Sequence, residues 1–552
     1  MAEQATRRAK TSMSESDIAL RADVRGEGMQ IPASSEACAP TVALAPPAAT
    51  TGAAEPISLF KRIASFPVML GMLLVGTVFV AGRAFAVDPD LWWHIKNGQN
   101  ILDTHHWPTT DPFSFTVTGQ PWISTEWLGD ILFAIVARVS GLQGLDALLI
   151  VLGGAVMVAL YAYGALRSGN SKAGFVAATA LLVLANGSFT LRPQMLGYLF
   201  LILVLIALER FRQGESKLLW FLPLLFLVWV NAHGSFVIGM LAIAAYWLGG
   251  LAEFRLGGIE ARRWTAAQRI HLEIVFLLCL IALTITPYGT QLALYPFQVA
   301  SSLPIGVANV MEWQSMPFNI LGGKFFLALL LGFLLAQIAF RFTWRLEELA
   351  LFLFGTMMAC LHVRFVLLFV PFFAPLLATI LARWLPRYER AKDQYILNAV
   401  LMLATAAAML WYFPSRTEMQ QTVARRFPVR AVEYMQQHAI VGPLLNSYGF
   451  GGYLIWKDQK VFVDGRADPY ERGGSLADYF HITHLEQGAL AVMRGYGIQS
   501  CLLERDEPLA TMLAAQSEWQ KVYADNLSVL FVRRDAAASA EATRGSTLGQ
   551  KE

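Results

Sequence analysis

Asp88, Asp90, His94, Glu126, Arg192, Asn231, His233, Glu312, His362 and Arg364 are the side chains best suited to chemistry in this chain. Each borders or follows a long apolar run. Charge buried near lipid costs several kcal/mol per group on the harsher estimates, so such residues are functional candidates by default. Carboxylates at Asp88 and Asp90 can take a proton from a hydroxyl, or together hold a divalent cation through oxygen ligands. A guanidinium at Arg192 or Arg364 suits a phosphate, with His94, Glu126, His233 and His362 completing a substrate-binding set. No metal-ligand motif stands out, and the cofactor is left open, with a divalent cation as one option.

Structural roles compete with each of these. Asp90 precedes an amphipathic stretch, LWWHIKNGQNIL, and is well placed as its N-terminal cap. Pro89 pushes Asp88 toward an extended conformation. Arg192 in TLRPQM can snorkel to the interface. The Asn231–Gly234 turn, which breaks two apolar runs with almost no loop, can simply satisfy backbone groups. His105 and His106 read as solvated loop residues.

The elements that position these residues follow from hydropathy. Of 552 residues, 55% are hydrophobic and 15% charged, with a mean hydropathy of +0.47. A soluble chain carries about 25% charge. Apolar runs lie at about 64–86, 143–166, 173–189, 195–210, 218–232, 234–253, 271–287, 325–341, 346–361, 364–383 and 394–413. Most are about long enough for a ~30 Å hydrocarbon core. The fold class is therefore an all-α polytopic membrane protein of about eleven transmembrane helices. Glu126–Gly141 is shorter, carries Glu126 and Asp130 on one helical face, and reads as an interfacial helix.

Basic residues crowd the connections near 167–172, 210–217, 255–269, 341–345 and 383–392. With an N-terminus inside, all of these fall on the cytoplasmic side and every candidate residue falls on the other. The expected location is a membrane, with the N-terminus on its cytoplasmic side. The net charge of +3 has no bearing on nucleic acid, and none is expected as a partner.

Residues 1–56 read as a disordered cytoplasmic tail. The membrane domain spans 57–416, with a first outer loop at 87–142. Residues 417–535 change character and read as a small α/β domain on the outer face, followed by a frayed tail at 536–552. In that domain helices are expected at Val429–His438 and Leu476–Gly495. Strands are expected at Gly452–Trp456, Lys460–Asp464, Gln499–Glu504 and Ser528–Arg533. The glycine-rich turns near Asn446–Tyr453 and Val463–Arg466 read as turn chemistry in preference to ligand binding. Four cysteines at non-motif spacing imply no disulfide framework.

An acidic motif opening a long outer loop after the first span, many further spans and an outer C-terminal domain resemble the GT-C superfamily of membrane glycosyltransferases. The runs DPDLWWHIKNGQNIL, DPFSFTVTGQPWISTEWLGD, NAHGSF, TPYG and VFVDGRADPY are similar to those of a group of bacterial multi-span proteins. The resemblance implies a GT-C-like fold and a polyprenyl-phosphate-linked sugar donor, with membrane lipids as surroundings. It places the catalytic carboxylate at Asp88 or Asp90. Where the family carries a second acidic position after the third span, this sequence supplies Arg192, and metal use is left open. The implied activity is hexosyl or pentosyl transfer to an acceptor at the periplasmic face. The alternative is a transporter or flippase of a lipid-linked or anionic solute, which usually shows an internal repeat. None is visible here.

Overall fold

The computed structural model describes residues 58–82, 88–185, 189–302, 304–440 and 442–534. The expected N-terminal and C-terminal tails lie outside them. Each of the eleven apolar runs is helical: Phe66–Gly82, Trp127–Ser168, Ser171–Ala185, Gln194–Arg212, Leu222–Ala232, Phe236–Gly249, Ala266–Ala282, Leu321–Phe340, Leu346–Leu361, Val366–Leu381 and Tyr395–Trp411. Among the described residues, four helices are long and apolar enough to cross a membrane by themselves. These are Trp127–Ser168, Gln194–Arg212, Leu321–Phe340 and Val363–Leu381.

Local sequence explains several boundaries. The helix Trp127–Ser168 is broken at Gly141 (φ 60°, ψ −148°), so its first part stands apart as the separate segment expected for Glu126–Gly141. That backbone geometry is open to glycine alone without strain. A capping box, Thr265 with Gln268, starts Ala266–Ala282, satisfying backbone donors that the first turn leaves free.

The amphipathic stretch of the first outer loop forms the helix Leu91–Thr104. Its tryptophans are built into the core of the C-terminal region. Trp92 meets Phe427 and Tyr453 edge-on at 5.3 Å and Trp456 at 4.7 Å. Farther along the loop, Val117 joins a second cluster with Phe462 and Tyr470. The first outer loop and the chain beyond Arg416 thus share their apolar interior, which fixes where Asp88 and Asp90 stand.

The C-terminal region holds a four-stranded sheet of β4 (Leu444–Asn446), β5 (Ser500–Glu504), β6 (Trp519–Ala524) and β7 (Ser528–Arg533), in the order β4-β5-β7-β6. A smaller sheet joins β1 (Phe254–Leu256), β2 (Ile259–Ala261) and β3 (Trp344–Arg345) among the basic connections. Two expected strands are corrected. Gly451–Trp456 is a helix whose Tyr453, Leu454 and Ile455 are all buried; a short fully buried apolar run suits strand and helix alike by periodicity, and here Tyr453 and Trp456 pack on Trp92. Lys460–Asp464 is extended but pairs with the first outer loop, through a Ser114–Val461 bridge, instead of joining the sheet. The expected helix Leu476–Gly495 is two, Ser475–Thr483 and Ala489–Gly495, separated by a turn with Gly488 at φ 92°.

Candidate functional site

Three carboxylates from two separate loops close around one guanidinium. Arg192, just ahead of the helix Gln194–Arg212, presents Nε to Asp88 (2.7 Å), Nη2 to Asp90 (3.2 Å) and Nη1 to Glu312 (3.0 Å). Asp88 is buried, and its other oxygen accepts the backbone N–H of Asp90 at 2.9 Å. It is locked on both sides. Asp90 occupies the cap position of Leu91–Thr104 yet makes no cap hydrogen bond; its carboxylate is committed to Arg192. This corrects the capping alternative. Burial pushes Asp90 above the usual carboxylate range, opposed by Arg192 and reinforced by Asp88. Three acids sharing one cation leave an excess of negative charge, so that direction is expected.

A second unit is built around Glu126. The helix Leu91–Thr104 carries His94 and Asn97 on one face, one turn apart, toward the segment that follows Glu126. His94 Nδ1 meets Asp130 at 2.5 Å, and its Nε2 stands 3.5 Å from Glu126. The other Asp130 oxygen accepts from Asn97 Nδ2 (2.6 Å) and the Ser124 hydroxyl (2.8 Å). On the far side of Glu126, His233 Nε2 lies 3.2 Å away. His233 Nδ1 accepts the backbone N–H of Ser235, which puts the neutral ring's proton on Nε2, facing Glu126. Glu126 is therefore held between two imidazoles.

Burial raises the Glu126 carboxyl to about 7, with His94 and Arg364 opposing and Asp130 and Asp90 reinforcing. For His94, burial disfavours the imidazolium, but Asp130 and Glu126 outweigh it and its pKa is raised. His233 is lowered to about 3 by burial, with Arg364 and His94 adding to the effect. A carboxyl poised near neutrality is suited to moving protons.

The third unit is Arg364. Its guanidinium lies over the Trp313 ring at 4.2 Å and is paired with no carboxylate among the described residues. His362 Nδ1 donates to the Trp313 carbonyl at 2.5 Å, tying this helix junction to the loop that carries Glu312. Glu126 and His233 both lie in the field of Arg364, and Glu126 also in that of Asp90, so the three units form one electrostatic neighbourhood.

The structure thus brings together Asp88, Asp90, His94, Glu126, Arg192, His233 and Arg364, with His362 at the edge through Trp313. Asn231 takes its structural alternative: Nδ2 donates to the carbonyls of Leu227 and Ile285, and Oδ1 accepts from Trp127. His105 and His106 are exposed.

Sequence reasoning missed the C-terminal contribution. A Cβ on Gly465 would collide with Asp90 Oδ1, and one on Gly452 with the Pro89 carbonyl. These glycines allow close approach of the C-terminal region to the acidic motif, a different service from permitting a turn. Next to Gly465, Arg466 is buried between Asp464 and Asp111 (2.6 Å to each) and lies over Trp122 at 4.7 Å. Glu471 accepts the backbone N–H groups of Ile305 and Gly306, and Asp468 accepts from Tyr295. The run VFVDGRADPYER therefore clamps both outer loops. Asp130, Asn97 and Ser124 were also missed; the one usable signal was the four-residue spacing of Glu126 and Asp130.

Among the described residues no group of three or more His, Cys, Asp or Glu side chains is placed to hold a metal ion. Asp88, Asp90 and Glu312 each use a different nitrogen of Arg192, so the cation at their centre is already supplied by the chain.

Among solved structures, the chain is similar to the oligosaccharyltransferase of Archaeoglobus fulgidus tethered with an acceptor peptide. The TM-score is 0.47 at 12% identity, covering 81% of this chain and 70% of that one. It is also similar to ArnT from Cupriavidus metallidurans in the apo state (TM-score 0.46, 14% identity, 83% and 97% covered). The same enzyme bound to undecaprenyl phosphate gives a TM-score of 0.44 at 14% identity, with 86% and 97% covered. No protein-family model matches the chain, and no curated protein does.

Proposed function

We infer that the chain is a membrane glycosyltransferase that moves a hexosyl or pentosyl group from a polyprenyl-phosphate donor to an acceptor hydroxyl at the periplasmic face of a bacterial inner membrane. One observation carries this reading: a reachable, destabilised carboxylate and a guanidinium free of carboxylate partners share one electrostatic neighbourhood at the same set of helix ends. The resemblance to the GT-C superfamily supplies the reaction class.

In this reading each group has its own task. Asp90, more accessible than the locked Asp88, takes the proton from the acceptor oxygen as that oxygen bonds to the anomeric carbon. The bond from that carbon to the phosphate oxygen breaks, and the electron pair leaves with the phosphate. Arg364, having no carboxylate to release first, meets the developing negative charge. Arg192 holds Asp88 and Asp90 in place. Glu126, between His94 and His233, adjusts the local proton balance. The polar residues cluster at helix ends, which favours chemistry at a face over a route through the membrane for a transported solute.

The test uses purified full-length protein with a panel of polyprenyl-phosphate sugars. Asp90→Asn lowers transfer by about 10²–10⁴-fold, the usual range for a lost acid–base group. Asp88→Asn acts through the position of Asp90 and Arg192 and has the smaller effect. Full activity in Asp90→Asn rejects the assignment, and inertness of the wild type toward every lipid-phosphate sugar rejects the class.

A further inference from the structure

At the opposite ends of the same helices lies a cavity of about 510 Å³ that the proposed reaction does not use. The helix Gln194–Arg212 follows Arg192 at one end and finishes with Arg212 at the other, roughly 28 Å away at 1.5 Å per residue. Phe236–Gly249 and Leu346–Leu361 likewise run between His233 or His362 and this second region. The cavity is lined by Arg212, Arg262, Arg263, Arg345, Glu260 and Glu347. Four cations therefore face two carboxylates.

Pairing leaves Arg262, Arg263 and Glu260 at the rim, one positive charge in excess. Arg212 binds Glu347, and Arg345 binds Glu209 at 2.7 Å. Arg262 and Arg263 are exposed and paired with no carboxylate among the described residues. The backbone carbonyl of Arg262 accepts from Arg212 at 3.0 Å, which pins this stretch over the cavity. The capped N-terminus of the 17-residue helix Ala266–Ala282 also borders it, through Thr265 and Gln268, and adds positive dipole.

Two buried atoms of the lining lack partners. Arg212 Nε–H has no acceptor among the described residues, although the side chain is only 6% exposed, and Glu347 Oε2 has no donor among them. A ligand that satisfies both offers acidic oxygens and a hydroxyl. Beside the rim, Phe254 and Leu256 of β1 are exposed apolar residues, as suits an element lying at a lipid interface.

We propose that this cavity binds a phosphate-bearing polyol, the chemistry of an anionic glycerophosphate headgroup or of its free soluble counterpart. The phosphate sits against Arg262 and Arg263, and a hydroxyl reaches toward Glu347. The charge asymmetry of the sequence assigns this face to the cytoplasm, where anionic headgroups attract basic residues.

The experiment measures thermal stabilisation of the full chain in detergent on titration with dihexanoyl phosphatidylglycerol, glycerol 1-phosphate and dihexanoyl phosphatidylcholine. The expected result is a saturable rise in melting temperature with a glycerol-phosphate ligand and none with the choline lipid. Response to the lipid alone identifies a headgroup site, and equal response to glycerol 1-phosphate identifies a soluble ligand; both uphold the cavity. The surface double variant Arg262→Glu/Arg263→Glu weakens the response at least tenfold, whereas Arg387→Glu/Arg390→Glu, equally basic and outside the cavity, leaves it intact. No saturable response to either glycerol phosphate, an unchanged response in the first variant, or equal loss in the second overturns the proposal.

Discussion

Both ends of the helical bundle bury arginines beside carboxylates, but they balance them differently. On the basic face the buried charges match in number: Arg212 with Glu347, Arg167 with Glu348, and Arg345 with Glu209 and, at 3.6 Å, Glu348, while the unpaired Arg262 and Arg263 stay exposed at the rim. At the other end they do not. Arg192 serves three acids, Glu126 sits between two histidines, and Arg364 rests on an aromatic ring without an acid of its own. Buried pairs matched in number are explained by desolvation, since each charge removed from water must find its opposite. Mismatch has no such explanation among the described residues. Groups with perturbed protonation and incomplete pairing are where catalysis or ligand binding is expected.

That contrast breaks if the two kinds of arginine respond alike to removal. Arg212→Met leaves the buried Glu347 without its cation, and the expected loss is stability of about 3–5 kcal/mol, the range for breaking one side of a buried pair. Melting temperature and resistance to denaturant report it. Arg364→Met removes no carboxylate's partner, so folding changes little, while sugar transfer falls by about 10²–10³-fold, as for loss of one preorganised charge-stabilising donor. Thermal melts and transfer rates on both variants separate the cases. A stable Arg212→Met or a fully active Arg364→Met removes the distinction.

How far this was legible in the sequence depended on the range of the signal. The eleven helices came from local hydropathy, and every apolar run is helical. The convergence of Asp88, Asp90, Arg192 and Arg364 was legible because membrane topology is a one-dimensional rule: residues at alternate helix ends share a side. What lay beyond it was pairing between distant loops. Nothing in DGRADPY says that Gly465 packs on Asp90, 375 positions earlier, because a glycine records a need for space and not the identity of its neighbour. Similarly GYLIW reads as a strand by its residues, and becomes part of a helix packed with Trp92 and Phe427. The choice between Asp88 and Asp90 also required geometry, since only the structure shows Asp88 held from both sides.

The smallest effect concerns Glu126 and sharpens the comparison by titration. Its carboxyl is raised from 4.5 to about 7, chiefly by burial. The folded state therefore retains a proton that the unfolded chain releases, and the resulting stability is fully present below about pH 4.5 and is lost as pH rises through about 7. His233 works in the opposite sense: its lowered value withholds a proton that the unfolded chain binds, so its own contribution improves between about pH 3 and the usual histidine value of 6.5. The two slopes offset each other in the wild type, and a single melting curve against pH conceals both. Glu126→Gln isolates the carboxyl. The melting temperature of the wild type minus that of the variant should fall across pH 4.5 to 7 and flatten above it. A level difference throughout that window means that Glu126 ionises like a solvated acid, and the mismatch at this end of the bundle reduces to Arg192 and Arg364.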